Sequence, residues 1–164
     1  MTTATEAPTL APRPTQRARG RNVIAVASGK GGVGKTWFSI TLAHAMARAG
    51  RKILLFDGDL GLANVDIQLG LMPKTDLGSV VAGRLTLNQA LVSFPDGGFD
   101  IIAGRSGSGT LANIPLSRLQ MLGDDLVLLA NTYDRVVVDL GAGVEKTTRN
   151  FAQQIGRASC RERV

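Results

Sequence analysis

The 164-residue sequence is poor in cysteine, in aromatic residues and in long apolar runs. Its single cysteine, Cys160, excludes a disulfide framework and a zinc site built from its own cysteines. Gly, Pro and polar residues interrupt every uncharged stretch of about 18 residues, so no transmembrane helix is predicted. The N-terminus lacks the basic segment and apolar run of a secretory signal. We therefore expect a soluble cytoplasmic protein of at most one compact α/β domain.

Positive charge is concentrated at the two ends of the chain. The formal net charge is +6, but residues 1–21 carry four arginines against one glutamate, and residues 155–164 carry three arginines against one glutamate. The intervening residues 22–154 are nearly neutral, which gives little support for a nucleic-acid-binding surface. Residues 1–21 are rich in Thr, Ala, Pro and Arg, so we predict a disordered tail, with a basic contact arm as the alternative.

Apolar runs and turn residues predict a parallel sheet flanked by helices. The β-branched run Val23–Ala27, a helix over Thr36–Ala49 closed by Gly50, and the apolar run Ile53–Phe56 form a strand–helix–strand unit. Such a unit makes its two strands parallel, with a right-handed crossover. The other predicted elements are helices over Asp76–Ala82 and Leu87–Val92 and after Pro115, a turn at Pro95–Gly98, and strands over Phe99–Ala103 and Val136–Val138.

A glycine-rich loop between the first strand and the first helix matches the phosphate-loop pattern GxxxxGKS/T. Glycines let backbone N–H groups curl around a phosphate, and the following helix directs its positive end at the same anion. Lys35 can reach the β- and γ-phosphates, and the Thr36 hydroxyl can bind Mg²⁺. The pattern therefore predicts binding of a nucleoside triphosphate with Mg²⁺ by Gly29, Lys30, Gly31, Gly32, Val33, Gly34, Lys35 and Thr36.

The heptad KGGVGKT, Lys30–Thr36, resembles the hallmark of the deviant Walker A ATPases of the MinD/ParA family. The resemblance implies the phosphate-loop NTPase fold of the SIMIBI class, the cofactors ATP and Mg²⁺, and an ATP-dependent homodimer. It also implies that Lys30 reaches the ATP of the second copy in trans, as an arginine finger does in other phosphoryl-transfer enzymes. Lys30 and Lys35 are thus expected to act in catalysis, and a solvated loop lysine is the alternative for Lys30.

Carboxylates follow two of the predicted strands, at the position where α/β sheets bind ligands. Asp57 and Asp59 come after the second strand, and Asp139 ends the fourth. The family resemblance implies that Asp59 positions the attacking water and that Asp139 is the Walker B aspartate. Asp57 and Asp139 are expected to hold Mg²⁺ with Thr36, and Gly143 is expected to approach the γ-phosphate. The alternative for Asp57 and Asp59 is a turn-capping role.

Trp37 follows the loop threonine at a position where the family commonly has a small polar residue. We include Trp37 among the ATP-binding residues, with its indole either turned outward or crowding the site. The segment Gly104–Thr110 is also glycine-rich, but it lacks the GK ending of a phosphate loop. A plain loop is therefore expected there.

The sequence DGDLGLANVDIQLGL after the second strand resembles the flagellar-number regulators (the FlhG/FleN branch) and MinD more than ParA. Gly141 stands where MinD typically has proline, which favours the flagellar branch. The resemblance implies an ATP-binding and hydrolysing dimerisation switch that regulates flagellar number or placement. Implied partners are a flagellar GTPase, a flagellar switch protein or a transcription regulator. The alternatives are a ParA-type DNA-partitioning ATPase, a MinD-type division-site regulator and an Mrp-type iron–sulfur carrier.

The resemblance covers residues 22–154 and ends abruptly. We expect these residues to be the N-terminal part of the ATPase domain and residues 155–164 to be a non-native tail, because IGRASCRERV resembles the translation of a sequencing adapter. The resemblance also implies a membrane-binding C-terminal helix, and with it a location at the inner face of the cell membrane. This helix is then missing from the 164 residues. In the family the Walker B strand lies between the first two strands, so the first strand should be left as an unpaired edge. The 164-residue product should therefore be a poor ATPase.

Overall fold

The computed structural model describes residues 22–59, 62–104, 114–142, 146–155 and 158–160. The predicted tail over residues 1–21 lies outside these ranges, as do Gly143 and the predicted loop after Gly104. The strands are β1 (Val23–Ser28), β2 (Ile53–Gly58), β3 (Val92–Phe94), β4 (Phe99–Ile102), β5 (Arg135–Ala142) and β6 (Ala158–Cys160). The helices are α1 (Lys35–Arg48), α2 (Val65–Gln68), α3 (Leu77–Val81), α4 (Leu116–Ala130) and α5 (Lys146–Ile155), and a 3₁₀ turn covers Asn88–Ala90.

The strands form one sheet in the order β3-β4-β2-β5-β1-β6, in which every neighbouring pair from β4 to β6 is parallel. β5 lies between β2 and β1, which confirms the order expected for the Walker B strand. The register of β5 with β2 sets Asp139 beside Asp57. Both carboxylates therefore reach the carboxyl-terminal edge of the sheet, where open α/β sheets bind ligands.

Apolar side chains of the central strands alternate between two cores on opposite faces of the sheet. Leu54 and Phe56 lie in a core shared with α4 and α5, whereas Ile53 and Leu55 lie in a core shared with α1. Helices on both faces of a mainly parallel sheet confirm the predicted α/β class. Within the described ranges, no helix combines the length and the apolar composition that a membrane crossing requires. The helix predicted after Pro115 is confirmed, and its buried stripe consists of Leu119, Leu122, Leu126 and Leu129.

The predicted helix over Leu87–Val92 is wrong in its second half. Two reciprocal hydrogen bonds close one turn: Gln89 Oε1 accepts from the N–H of Thr86, and Thr86 Oγ1 accepts from the N–H of Gln89. The chain then extends, and β3 pairs antiparallel with β4 across the predicted turn at Pro95–Gly98. The β-branched and aromatic residues of β3 favour a strand. Gly98 supplies the positive φ of +72° that this tight turn needs.

The expectation that β1 forms an unpaired edge is wrong. Ala158–Cys160 pair in parallel with Ala25–Ala27, so β6 covers that edge. The preceding helix α5 is anchored by Phe151, which is fully buried and stacks on Phe56 with ring centroids 5.8 Å apart. Ile155 at the end of α5 is also fully buried. The C-terminal segment therefore contributes to the sheet and to the core.

Candidate functional site

The loop between β1 and α1 has the backbone conformation that its glycines allow. Gly32 and Gly34 adopt φ of +72° and +86°, in the left-handed region that other residues rarely enter. A Cβ atom built on Gly29, Gly32 or Gly34 meets no atom within 4 Å, so the space around these residues is open. Gly34 is the N-cap of α1 and offers no side-chain hydrogen bond. No cap side chain therefore competes with an anion for the first N–H groups of the helix.

A cavity of about 360 Å³ opens beside this loop. Trp37 stands at its rim and is 67% exposed, so the indole turns outward, one of the two orientations that the sequence left open. Lys30 is exposed, and its carbonyl accepts a 2.6 Å hydrogen bond from Ser28 Oγ. The cavity brings together the glycine loop, the start of α1 and the segment after β2, with walls formed by Gly31, Gly32, Gly34, Lys35, Thr36, Trp37, Asp59, Leu62, Asn64 and Gln68.

Asp139 is joined to the first two turns of α1. Its Oδ1 accepts a 3.0 Å hydrogen bond from Ser39 Oγ. Burial raises the pKa of Asp139, although the side chains of Thr36 and Ser39 and the charge of Lys35 oppose the rise. Within the described residues, no three His, Cys, Asp or Glu side chains gather into a metal-holding group. The pair Thr36 and Asp139 suits Mg²⁺, which usually takes one or two carboxylates together with phosphate oxygens and water.

Asp57 is fully buried and binds backbone N–H groups of the segment that follows β2. Its Oδ1 accepts a hydrogen bond from Asp59 at 3.2 Å, and its Oδ2 accepts from Asn64 and Val65, each at 3.1 Å. Burial raises the pKa of Asp57 to about 7; the Val65 hydrogen bond opposes the rise, and the charge of Asp139 adds to it. These contacts give Asp57 the turn-capping role that was the alternative, while its Mg²⁺ role stays a prediction.

Asp59 lies between the segment after β2 and the end of β5. Its Oδ1 accepts a 2.9 Å hydrogen bond from the N–H of Leu62, and the residue lines the cavity. A Cβ atom on Gly141 would lie 3.0 Å from the same oxygen, so a side chain there crowds the carboxylate. This contact is a physical reason for glycine at position 141. The water-positioning role of Asp59 stays a prediction.

The sequence analysis missed the cavity-lining residues Leu62, Asn64 and Gln68, and it also missed Ser39 and Gly104. Ser39 is a fully buried polar residue that lies three positions after Thr36 and so on the same face of α1, which is the signal that could have identified it. Gly104 was assigned to a plain loop, yet a Cβ atom there would lie 2.2 Å from Ala63 Cβ and 3.1 Å from Asp57 Cγ. A glycine directly after a strand can mark such a close approach.

Residues 24–158 match the family model described as the CobQ/CobB/MinD/ParA nucleotide binding domain. The chain belongs to this family. The match contains the glycine loop and both aspartate-bearing strand ends, and it confirms the resemblance carried by KGGVGKT.

Similar proteins include flagellar regulators and MinD. The antiactivator FleN of Pseudomonas aeruginosa is 43% identical over 145 residues, which cover 85% of this chain and 51% of FleN. The flagellum site-determining protein YlxH of Helicobacter pylori is 35% identical over 130 residues, 78% of this chain and 43% of YlxH. The structure of the septum site-determining protein MinD from Pyrococcus horikoshii, complexed with Mg-ADP, superposes with a TM-score of 0.74 at 28% identity, covering 85% of this chain and 56% of that one. The chain thus spans about half the length of the curated relatives it matches.

Proposed function

We propose that this chain is the nucleotide-binding part of a Mg²⁺-dependent ATPase that dimerises with ATP and regulates the number or placement of flagella. The observation that carries the proposal is the cavity in which Lys35, Thr36 and Asp59 meet beside the glycine loop. Its residues fit a triphosphate with Mg²⁺, because they combine open glycines, a lysine and a hydroxyl that favours the charged form of Asp139.

Each residue has a separate role in this proposal. Lys35 meets the β- and γ-phosphates. Thr36 and Asp139 hold Mg²⁺, which neutralises charge on the phosphate oxygens when bound. Asp59 orients a water molecule at the cavity wall. Lys30 is exposed and can therefore reach the nucleotide of a second copy in trans.

The flagellar role is supported by the relatives FleN and YlxH, named as an antiactivator and as a flagellum site-determining protein. The partners that fit this role are a flagellar GTPase, a flagellar switch protein or a transcription regulator. The protein then acts in the cytoplasm or at the inner face of the cell membrane. The likeness to MinD supports a division-site regulator as the second candidate.

Residues 22–154 are proposed to be the N-terminal part of a longer ATPase, because the relatives are about twice as long as the matched region. The non-native origin of residues 155–164 is part of the same proposal. Sequencing the gene beyond codon 154 tests both proposals. If both are right, the gene encodes a longer native continuation in place of IGRASCRERV.

The function is tested in the complete gene product by comparing Lys35→Ala with Lys74→Ala, which changes an exposed lysine outside the cavity wall. Calorimetric binding of MgATP and phosphate release should be lost in Lys35→Ala, because no charge then meets the β- and γ-phosphates. Both should be kept in Lys74→Ala. Equal binding by the two variants contradicts the proposed nucleotide site. Deleting the gene should change the number of flagella per cell, whereas normal flagella with misplaced septa favour the second candidate.

A further inference from the structure

Asp57 binds both ends of the segment that carries Asp59. Its Oδ1 holds the N–H of Asp59, two residues later, and its Oδ2 holds the N–H groups of Asn64 and Val65, seven and eight residues later. A single buried side chain thus fixes where the segment leaves β2 and where it enters α2. Such non-local bonds restrict a segment more than a local turn does, because both of its ends are tied to one point.

The same carboxylate caps the start of α2. Asn64 is the N-cap residue but makes no side-chain cap hydrogen bond of its own. The first N–H groups of a helix need acceptors, and Asp57 supplies them for Asn64 and Val65. Val65 is fully buried, so its N–H has no ready access to water if the carboxylate is lost.

Gly104, which follows β4, packs closely against Ala63 and Asp57. A Cβ atom on Gly104 would lie 2.2 Å from Ala63 Cβ and 3.2 Å from Asp57 Oδ2. The backbone after β4 therefore packs directly against the segment and against the carboxylate that holds it. Neither can move toward β4 without displacing that backbone.

We propose that Asp57 is a positioning residue, which holds the backbone on both sides of Asp59 and does not act on the nucleotide itself. Among the described residues, the cavity is lined by Asp59 and Asn64 but not by Asp57, which supports an action through the backbone. Asp59 lies beside Gly141, so a small backbone shift changes where its carboxylate meets the cavity. A misplacement of about 1 Å costs on the order of 100-fold in rate. This inference rests on the proposed ATPase function and is an alternative to the metal-ligand role predicted for Asp57.

The experiment compares Asp57→Asn with Asp59→Asn in the complete gene product. Asparagine keeps the size of the side chain but turns one acceptor oxygen into an NH₂ group, which cannot accept from backbone N–H groups. In Asp57→Asn we expect kcat to fall about 100-fold, with the affinity for MgADP and the Mg²⁺ requirement changing less than about two-fold. Because the remaining amide oxygen can accept on one side only, amide hydrogen exchange without nucleotide should accelerate either at Asp59 or at Asn64 and Val65. In Asp59→Asn kcat should also fall, but exchange at Asn64 and Val65 should stay as in the wild type.

Three results overturn the proposal. They are normal kcat in Asp57→Asn, unchanged exchange at all three amides (Asp59, Asn64 and Val65), or a Mg²⁺ requirement raised more than about ten-fold, which indicates a direct metal ligand. If Asp57→Asn shows no cooperative melt, Gly104→Ala replaces it, because the added methyl group displaces the segment through Ala63. Gly104→Ala should lower kcat and accelerate the same amides, and normal kcat there also overturns the proposal. If the wild-type protein lacks ATPase activity, the proposed function fails, and the exchange data alone decide whether Asp57 holds the segment.

Discussion

Ser39 Oγ, in the second turn of α1, donates a 3.0 Å hydrogen bond to Oδ1 of Asp139 in β5, 100 residues further along the chain. Ser39 is fully buried, and Asp139 is 2% exposed. The side chain of Thr36, which ends the glycine loop, lowers the pKa of the same carboxyl and so favours its charged form. The helix that follows the glycine loop is therefore fixed to the strand that carries the proposed Mg²⁺-binding aspartate.

We predict that Ser39→Ala weakens Mg²⁺ binding and lowers stability. The change leaves a buried carboxylate oxygen without its donor, which costs about 1–3 kcal/mol. It also removes the hydrogen bond from Ser39 that lowers the pKa of Asp139. Thermal melts and Mg²⁺ titrations of nucleotide binding should show a lower Tm and a higher Mg²⁺ requirement. Ser93→Ala, at an exposed position of β3, is the control, and equal behaviour of the two variants contradicts the prediction.

Lys30→Ala should keep nucleotide binding to the monomer but lose ATP-dependent dimerisation. Lys30 is exposed and, among the described residues, is not part of the cavity wall, whereas Lys35 is. Removing Lys30 therefore takes no charge from the phosphates bound by its own chain. Sedimentation velocity with MgATP should show monomers, and phosphate release should fall by about 10³- to 10⁵-fold. Normal turnover in Lys30→Ala contradicts a role in trans.

Trp37 should report nucleotide binding through its fluorescence. It is the single tryptophan in the sequence, stands at the rim of the cavity and is 67% exposed. Bound phosphates and an ordered glycine loop change the polarity around the indole, so the emission maximum or intensity should change as MgATP is titrated. The signal should disappear in Trp37→Phe without loss of binding. An unchanged spectrum at saturating MgATP means that the indole does not sense the site.

Elements with a strong local pattern could be predicted from the sequence. The helix predicted over Thr36–Ala49 forms as α1 within one residue of its bounds, and β2 extends only two residues beyond the predicted run. The C-terminal elements were not predicted, although Phe151 and Ile155 lie four residues apart and so share the buried face of α5. α5 forms because Phe151 stacks on Phe56, and β6 forms because α5 brings the chain beside β1. These contacts join residues that are far apart in the sequence, so the partners of α5 and β6 appear only in the structure.

The candidate site likewise contains residues that could be predicted from the sequence and residues that could not. The glycine loop was predictable because its spacing determines its own backbone conformation, including the positive φ of Gly32 and Gly34. Ser39 and Gly104 depend on partners about 100 and 41 to 47 residues away, so their roles appeared only in the structure. The orientation of Trp37 could not be predicted either, because it depends on the residues that surround α1 in the fold.

Stability should depend on pH through the buried Asp57 carboxyl. Its pKa is raised from 3.8 to about 7 in the folded chain, so between these values the folded state keeps a proton that the unfolded chain has lost. The free energy of unfolding should therefore fall as pH rises from about 4 to about 7, by at most about 1.4 kcal/mol per pH unit, and then level off. The raised pKa of Asp139 acts in the same direction.

Urea unfolding across this pH range, without Mg²⁺ or nucleotide, measures the effect. Asp57→Asn should flatten the pH dependence, because the titrating group is gone. Asp96→Asn, at an exposed position in the β3–β4 turn, should keep it. An equally steep dependence in Asp57→Asn shows that other groups cause it.

The C-terminal segment should protect β1 from association with other chains, contrary to the expectation that β1 is an unpaired edge. Ala158–Cys160 pair with Ala25–Ala27, and β1 leads directly into the glycine loop. A chain that ends at Ile155 leaves the N–H and C=O groups on this side of β1 unpaired, which is a template for aggregation. A chain that ends at Cys160 keeps the pairing. Light scattering during thermal melts should show earlier aggregation and a lower Tm for the chain ending at Ile155.

The comparison isolates the strand pairing, because both truncated chains keep the buried Ile155 and the whole of α5. A difference between them therefore measures what the five residues after Ile155 add, and β6 is the described part of those five. Equal Tm values and equal scattering contradict a stabilising role for β6. Since the same strand edge is covered whether or not the segment is native, the result is independent of the origin proposed for residues 155–164.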